Sequence, residues 1–303
     1  MYLLTGPTAV GKTELCLRLA EELEAEILSC DSMQVYEGMD IGTAKPTTAE
    51  LASVRHHCIG IFPFNHTINI HTYTEVAAEA VDKITRRGKA VLVTGGSGFY
   101  LNSFIQPVCD EVKVSHEIRA EVNQLQDSGG LHALVENLRS LNPNGLGDLD
   151  IQNPRRVVRA LERCKASGKT VLELRAEMES MPEPFPDFNK RICVLNRGDN
   201  ALRERIQLRT SSMLANGLVD EVRGLLSRGL LENSTAAASI GYREVIAYIQ
   251  NKPQPEKHLE ESINRSTWQL VRKQKKWFRS QLPCARRVDL DLCPVPSVED
   301  LFG

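Results

Sequence analysis

The sequence predicts an α/β protein: a parallel sheet flanked by helices and interrupted by an all-helical insertion. Three observations predict it. Strand-like and helix-like segments alternate through about the first hundred residues. Glycine-rich turns follow two of the strand-like segments, at 6–11 and 95–98. Strand patterns then vanish between 110 and 187, where only helical periodicity is found.

The first strand is the apolar run Tyr2-Leu3-Leu4. An amphipathic helix with Leu15, Leu17, Leu19, Ala20 and Leu23 follows. A second strand is predicted at 26–29, a third at 57–62 and another at 90–94, with a strong helix at 73–87. Within the insertion, helices are predicted at 116–126, 131–141 and 153–166, broken at Gly129-Gly130 and at Asn142-Pro143-Asn144-Gly145. A proline-rich connector at 181–186 leads to a strand at 191–195. The remainder is predicted helical, at 201–215, 218–228, 241–250 and 255–280. The predicted division is therefore a core of 1–109 with 188–303, carrying an insertion at 110–187.

Between the first strand and its helix lies Gly6-Pro7-Thr8-Ala9-Val10-Gly11-Lys12-Thr13, which matches G-x-x-x-x-G-K-[ST]. Strand, glycine loop and helix are the context that gives this pattern its meaning, and they make the sheet P-loop NTPase-like. Backbone N–H groups of such a loop converge on an anion, and the free amides and dipole of the helix add to them. Lys12 brings a charge to the outer phosphates, and the Thr13 hydroxyl can ligate Mg²⁺. The loop implies a bound phosphate or diphosphate without naming its carrier.

Asp31 follows the second strand, in Asp31-Ser32-Met33-Gln34-Val35-Tyr36. D-x-x-Q reads as a capping box, and the same carboxylate reads as a Mg²⁺-side ligand or as a general base. Thr94-Gly95-Gly96-Ser97-Gly98-Phe99-Tyr100 is the second strand-to-helix glycine turn, suited to close packing or to presenting amides and a hydroxyl. Ligands of parallel sheets gather at the strands' carboxyl ends, so the loop, Asp31 and Ser97 are expected to face one crevice. Arg203, Arg205 and Arg209 share a helix, and each could place a cation over the loop.

Two cationic surfaces stand out on a chain of 303 residues whose net charge is only −2, from 37 basic and 39 acidic residues. Arg155, Arg159 and Arg163 form an i, i+4 row with Arg156 beside it, and Glu162 is the one acid between Arg155 and Lys169. The stretch 262–288 carries Arg265, Arg272, Lys273, Lys275, Lys276, Arg279, Arg286 and Arg287 without an acid. Leu270 and Trp277 are seven apart, as are Val271 and Phe278, so this side is expected to face the core, which leaves the basic side for a polyanion. The eight cysteines lack metal-ligand spacing and read as free thiols of a reducing compartment. No leader and no membrane span is expected, so the cytoplasm is the expected location.

These segments in this order resemble the tRNA dimethylallyltransferase family. The resemblance rests on 6–13, on Asp31-Ser32-Met33-Gln34-Val35-Tyr36 running into Gly38-Met39-Asp40-Ile41-Gly42-Thr43-Ala44-Lys45-Pro46, and on Gly95-Gly96-Ser97-Gly98-Phe99-Tyr100. It continues through Arg155-Arg156-Val157-Val158-Arg159-Ala160-Leu161-Glu162, Met213-Leu214-Ala215-Asn216-Gly217-Leu218, Ile240-Gly241-Tyr242-Arg243-Glu244 and 269–279. It implies transfer of a dimethylallyl group from dimethylallyl diphosphate to N6 of the tRNA adenosine adjacent to the anticodon. By that resemblance the diphosphate lies on the loop, with Mg²⁺ held partly by Thr13, and the adenosine enters a channel through the core. Asp31 takes the N6 proton, Arg209 holds diphosphate, and Ser97 touches substrate where the family usually has Thr. The anticodon stem-loop is implied to meet Asp31, Ser32, Met33, Gln34, Ser97, Arg119, Arg155, Arg156, Val157, Val158, Arg159, Gly241, Tyr242, Arg243, Arg272, Lys273 and Lys276. The enzyme is expected to act as a monomer. Ile68-Asn69-Ile70-His71-Thr72-Tyr73 matches the family loosely and is given no role. The chain also ends without the zinc-finger extension of eukaryotic relatives, which implies a bacterial or organellar source.

Three other readings stand beside this one. A small-molecule kinase would use the loop for ATP but has no need of the basic surfaces. An adenylate isopentenyltransferase would prenylate free AMP or ATP. A non-catalytic RNA-binding module would leave the loop and Asp31 superfluous.

Overall fold

The computed structural model describes residues 1–108, 112–250 and 255–303. β1 (Tyr2–Thr5), α1 (Lys12–Glu22) and β2 (Ala25–Ser29) come first, followed by α2 (Thr48–Ser53), β3 (His56–His57), α3 (Ile70–Arg86), β4 (Ala90–Gly95) and α4 (Gly98–Asn102). Three helices come next: α5 (His116–Ser140), α6 (Pro154–Ser167) and α7 (Val171–Ser180). The chain returns through β5 (Arg191–Asn196), α8 (Asp199–Ala215), α9 (Leu218–Leu226), α10 (Ser234–Ala237), α11 (Tyr242–Gln250) and α12 (Glu256–Gln281). It closes with β6 (Arg286–Asp289) and α13 (Val298–Phe302).

The strands form one parallel sheet in the order β3-β2-β4-β1-β5-β6. Helices cover both faces of such a sheet, so its central strands are apolar throughout rather than alternating. Leu3, Leu4, Leu28, Leu92, Val93 and Leu195 accordingly have no exposed surface. The register aligns Thr5 with Gly95 and Ser29 with Thr94. The loop after β1, Asp31 after β2 and Ser97 after β4 therefore leave the same edge of three neighbouring strands. All three therefore lie at the strands' carboxyl ends, as read from the sequence.

Several elements depart from the sequence reading. The third strand keeps only His56–His57, because Cys58 and Gly60 take positive φ and turn the chain away. Among the described residues one isolated bridge, Tyr36 to Phe62, lies outside the named strands. By contrast, the break read at Gly129-Gly130 is present: α5 is two helical segments that meet at Gly130, whose φ of 62 and ψ of −158 are non-helical. α7 was not read as a separate helix, although Thr170 and Glu173 form its capping box. The all-helical C-terminal part contains the edge strand β6, which pairs with β5.

The chain divides into two compact units, Met1–Ile105 with Phe185–Gly303, and Gln106–Pro184. The larger holds the sheet and α1–α4 and α8–α13. The smaller holds α5–α7 around its own core of Val122, Leu134, Leu138, Val157, Leu161, Cys164 and Leu174. Among the described residues no helix is long and apolar enough to cross a membrane, and the seven described cysteines are free. Cys109 lies outside the described residues.

Candidate active site

Gly6 opens the phosphate-binding loop where a Cβ would lie 2.7 Å from the carbonyl oxygen of Leu195, so only glycine fits against β5 there. Ala9 takes φ 64 and Gly11 φ 113, which curl the loop so that its amides converge. Gly11 caps α1 without a side-chain hydrogen bond, so the first-turn N–H groups of α1 remain available to an anion. Lys12 Nζ donates to the carbonyls of Gly6 at 2.8 Å and Pro7 at 2.9 Å. The Thr13 side chain is exposed beside it.

Arginines surround this loop, and the structure separates the three candidates of α8. Arg209 Nη1 donates to Thr8 Oγ1 at 3.2 Å, and its charge acts directly on Lys12 and Asp31. Arg205 Nε donates to the carbonyl of Ala9 at 2.7 Å. Arg203 instead lies over the Trp268 ring, 3.9 Å from its centroid, and serves packing. A further cation, Arg197, escaped the sequence reading. It donates to the carbonyl of Val10 at 2.9 Å and is held by Asp291 at 2.8 Å. Burial pushes the Lys12 ammonium down to about 8, with Arg209 adding repulsion and Asp31 opposing both. Burial also lowers Arg209, but a guanidinium stays charged at any working pH. A cluster of cations that burial disfavours is a site prepared for an anion.

Asp31 starts a turn rather than a helix. Its Oδ1 accepts from Met33 N at 2.9 Å and Gln34 N at 3.4 Å. The capping box expected of D-x-x-Q is absent, because the Gln34 side chain turns elsewhere. Its Oε1 accepts from Ser29 Oγ at 2.9 Å, and its Nε2 donates to the carbonyls of Thr43 and Ala44. One Asp31 oxygen thus fixes the turn while the carboxylate remains coupled to Lys12 and Arg209. Ser97 Oγ accepts from Ser32 N at 3.2 Å and lies 3.3 Å from Ser32 Oγ, which joins the two turns.

Gln274 of α12, also missed from sequence, ties the two glycine turns together. Its Oε1 accepts from Thr8 N at 2.9 Å, and its Nε2 donates to the Gly96 carbonyl at 2.8 Å. Trp277, one turn on, lies so close to Gly98 that a Cβ there would meet the indole at 2.4 Å.

The residues expected to meet nucleic acid divide by exposure. Arg272, Lys273 and Lys276 are exposed along α12, while Val271 and Phe278 face the core as read. Arg243 is exposed and paired with Glu244 at 2.7 Å, and Glu244 also accepts from Gly241 N. In the smaller unit Arg119, Arg155 and Arg156 are exposed. Three expectations need correction: Tyr242 and Val157 have no exposed surface and Gly241 is buried, so packing occupies all three and leaves none for an RNA. Val158 is half-buried against the same core as Val157. Nor is the arginine row without partners, because Arg159 pairs with Glu162 at 3.1 Å.

No group of three His, Cys, Asp or Glu suited to a metal occurs among the described residues. Mg²⁺ needs no such cage where phosphate oxygens and water complete its shell. The exposed Thr13 hydroxyl beside the anion cradle fits that mode.

The model of the IPP transferase family matches residues 34–281. The tRNA dimethylallyltransferase of Opitutus terrae is 53% identical over 95% of this chain and 92% of its own, and that of Clostridioides difficile is 36% identical over 96% and 92%. Among solved structures, the tRNA isopentenylpyrophosphate transferase of Bacillus halodurans superposes with a TM-score of 0.67 at 30% identity, covering 95% of this chain and 89% of its own. A eukaryotic dimethylallyltransferase acting on tRNA shares the fold at a TM-score of 0.82 and 22% identity, over 97% of this chain and 74% of its own. The chain therefore belongs to the IPP transferase family.

Proposed function

We propose that this protein transfers a dimethylallyl group from dimethylallyl diphosphate to N6 of the adenosine 3′-adjacent to the anticodon of tRNA. The observation that carries the proposal is a carboxylate, Asp31, held in a turn after β2 at the same end of the sheet as the phosphate-binding loop after β1 and the glycine turn after β4. The names of the curated relatives support the same reaction.

The loop amides, Lys12 and Arg209 bind the diphosphate and stabilise the charge that grows on it as it leaves. Mg²⁺, held by Thr13 and phosphate oxygens, would add charge neutralisation there. The adenosine N6 attacks the allylic carbon as the carbon–oxygen bond to diphosphate breaks, and Asp31 accepts the proton that N6 loses. An aryl amine is a poor nucleophile, so a positioned base contributes about 10²–10⁴-fold. Ser97, bonded to Ser32 of the acidic turn, orients the acceptor. Extruding a base from an anticodon loop costs only a few kcal/mol. Cations on α12 and on the smaller unit offset that cost through phosphate contacts.

The test is incubation with labelled dimethylallyl diphosphate and unmodified tRNA, with AMP and ATP as rival acceptors. Label in the tRNA adenosine is the expected result. Label in free AMP or ATP instead would make this an adenylate isopentenyltransferase. Phosphate transfer from ATP to a metabolite, with no prenyl transfer, would make it a kinase.

A further inference from the structure

The segment that carries Asp31 does not end at the acidic turn. It runs on to Lys45 as an irregular loop whose backbone polar groups need partners. Glu221, in the first turn of α9, supplies them. Its Oε2 accepts from Asp40 N at 2.9 Å and Ile41 N at 2.7 Å, and its Oε1 accepts from Gly42 N at 3.1 Å. A fourth donor is Tyr242 OH, at 2.6 Å to Oε1. The Tyr242 ring in turn lies against Gly42, where a Cβ would come within 2.5 Å of it. A single carboxylate of α9 and a buried tyrosine of α11 thus grip three consecutive amides.

The grip is transmitted to the acceptor side of the site. The carbonyls of Thr43 and Ala44, next in the chain, receive the Gln34 side-chain amide, whose oxygen is bonded to Ser29. Gln34 N is itself bonded to Asp31 Oδ1. Holding residues 40–42 therefore sets residues 43–44, which set Gln34 and the turn of Asp31. Among the described residues no hydrogen bond joins Glu221, Tyr242, Gln34 or residues 40–44 to the phosphate-binding loop, whose side-chain partners include Gln274, Arg197, Arg205 and Arg209.

We propose that Glu221, with Tyr242 as its donor partner, is a positioning residue for the acceptor half of the reaction: it fixes the 40–44 loop so that Gln34 and Asp31 meet the tRNA adenosine. The inference rests on the proposed function. A carboxylate oxygen accepts two hydrogen bonds here at each end, whereas the amide of Glu221→Gln turns an NH₂ toward donors at one end. Misplacing a positioning shell by about 1 Å can cost about 10²-fold in rate.

The test measures kcat and KM for tRNA, and separately Kd for dimethylallyl diphosphate, in the wild type, in E221Q and in Y242F. Y242F keeps the ring that packs on Gly42 and removes one donor, so it carries the test if E221Q does not fold. Expected is a fall in kcat/KM for tRNA of about 10–100-fold in E221Q and a smaller fall in Y242F, with the Kd for dimethylallyl diphosphate unchanged in both. Parallel losses for both substrates would mark a general weakening of the fold and overturn the proposal, as would tRNA kinetics unchanged in the folded variants. A wild type that prenylates nothing would instead overturn the proposed function, and this inference with it.

Discussion

At the scale of single residues, the site sets cations against burial. Lys12 sits at about 8 rather than at its ordinary 10.5, chiefly through burial. Between those values the unfolded chain holds more protons than the folded one, so this group's contribution to stability rises with pH across that window. Anion binding has the opposite trend. As pH rises through about 8, Lys12 loses its charge, and affinity for inorganic diphosphate should fall. Titration calorimetry from pH 7 to 9 should show that step in the wild type, while Lys12→Ala should bind weakly throughout and lack it. An identical pH profile in the two proteins would remove Lys12 from the anion site. Asp31→Ala should cut turnover by about 10²–10⁴-fold while tRNA binding persists; retained turnover in single-turnover assays would exclude Asp31 as the base. The sequence disclosed Lys12 and Asp31 because their spacing to glycine or to a strand end carries meaning by itself. Gln274 and Arg197 were invisible because their roles arise only where distant segments touch, as in the bond from Thr8 N to Gln274.

At the scale of elements, α12 has two faces. Val271 and Phe278 are buried, Gln274 reaches the glycine turns, and Arg272, Lys273 and Lys276 stay in solvent. Replacing these three cations by glutamine should weaken tRNA binding and reduce the slope of log Kd against log salt by up to about three, one per lost phosphate contact. An unchanged slope in filter-binding measurements would leave that face merely solvated. A second element-level prediction concerns the other end of the sheet. Glu26 on β2 accepts from Arg87 Nε at 2.8 Å and Nη2 at 2.6 Å, and lies 2.7 Å from His57 Nε2. The Arg87 hydrogen bonds hold this buried carboxyl at about 2 against an ordinary 4.5. A depressed carboxylate stabilises the fold above its unfolded value, and that stability drains away as pH falls from about 4.5 to 2. Glu26→Gln should flatten denaturant midpoints over that range and lower stability at neutral pH; a slope equal to the wild type's would refute the assignment. Element types were legible wherever burial made the pattern periodic, as in α1, α3 and β4. They were illegible at β6, where Arg286-Arg287-Val288-Asp289 buries only Val288 and reads as a charged helix tail.

At the scale of the whole molecule, the sheet and the smaller unit hold separate cores. The sheet unit buries Leu3, Leu4, Tyr73 and Phe104, while the unit of α5–α7 buries Val122, Leu134, Val157 and Leu161. Helical periodicity announced an insertion, but its limits were hard to read because the flanking segments lack a repeating pattern. In the sheet unit the chain leaves and returns beside one aromatic pair, for the rings of Phe104 and Phe185 stack with centroids 5.5 Å apart. A short glycine-serine linker can therefore join Ile105 to Phe185 with Gln106–Pro184 removed. The shortened protein should unfold in one cooperative step, because its own core is complete, and should bind inorganic diphosphate as the full chain does. It should fail to prenylate tRNA, because Arg119, Arg155, Arg156 and Arg159 leave with the deleted unit. Circular dichroism, calorimetry and labelled-prenyl transfer read these outcomes separately. A deleted chain that modifies tRNA normally would strip the smaller unit of any part in gripping the substrate. One that folds but loses diphosphate binding would mean that the anion cradle depends on more than the loop, α8 and α12.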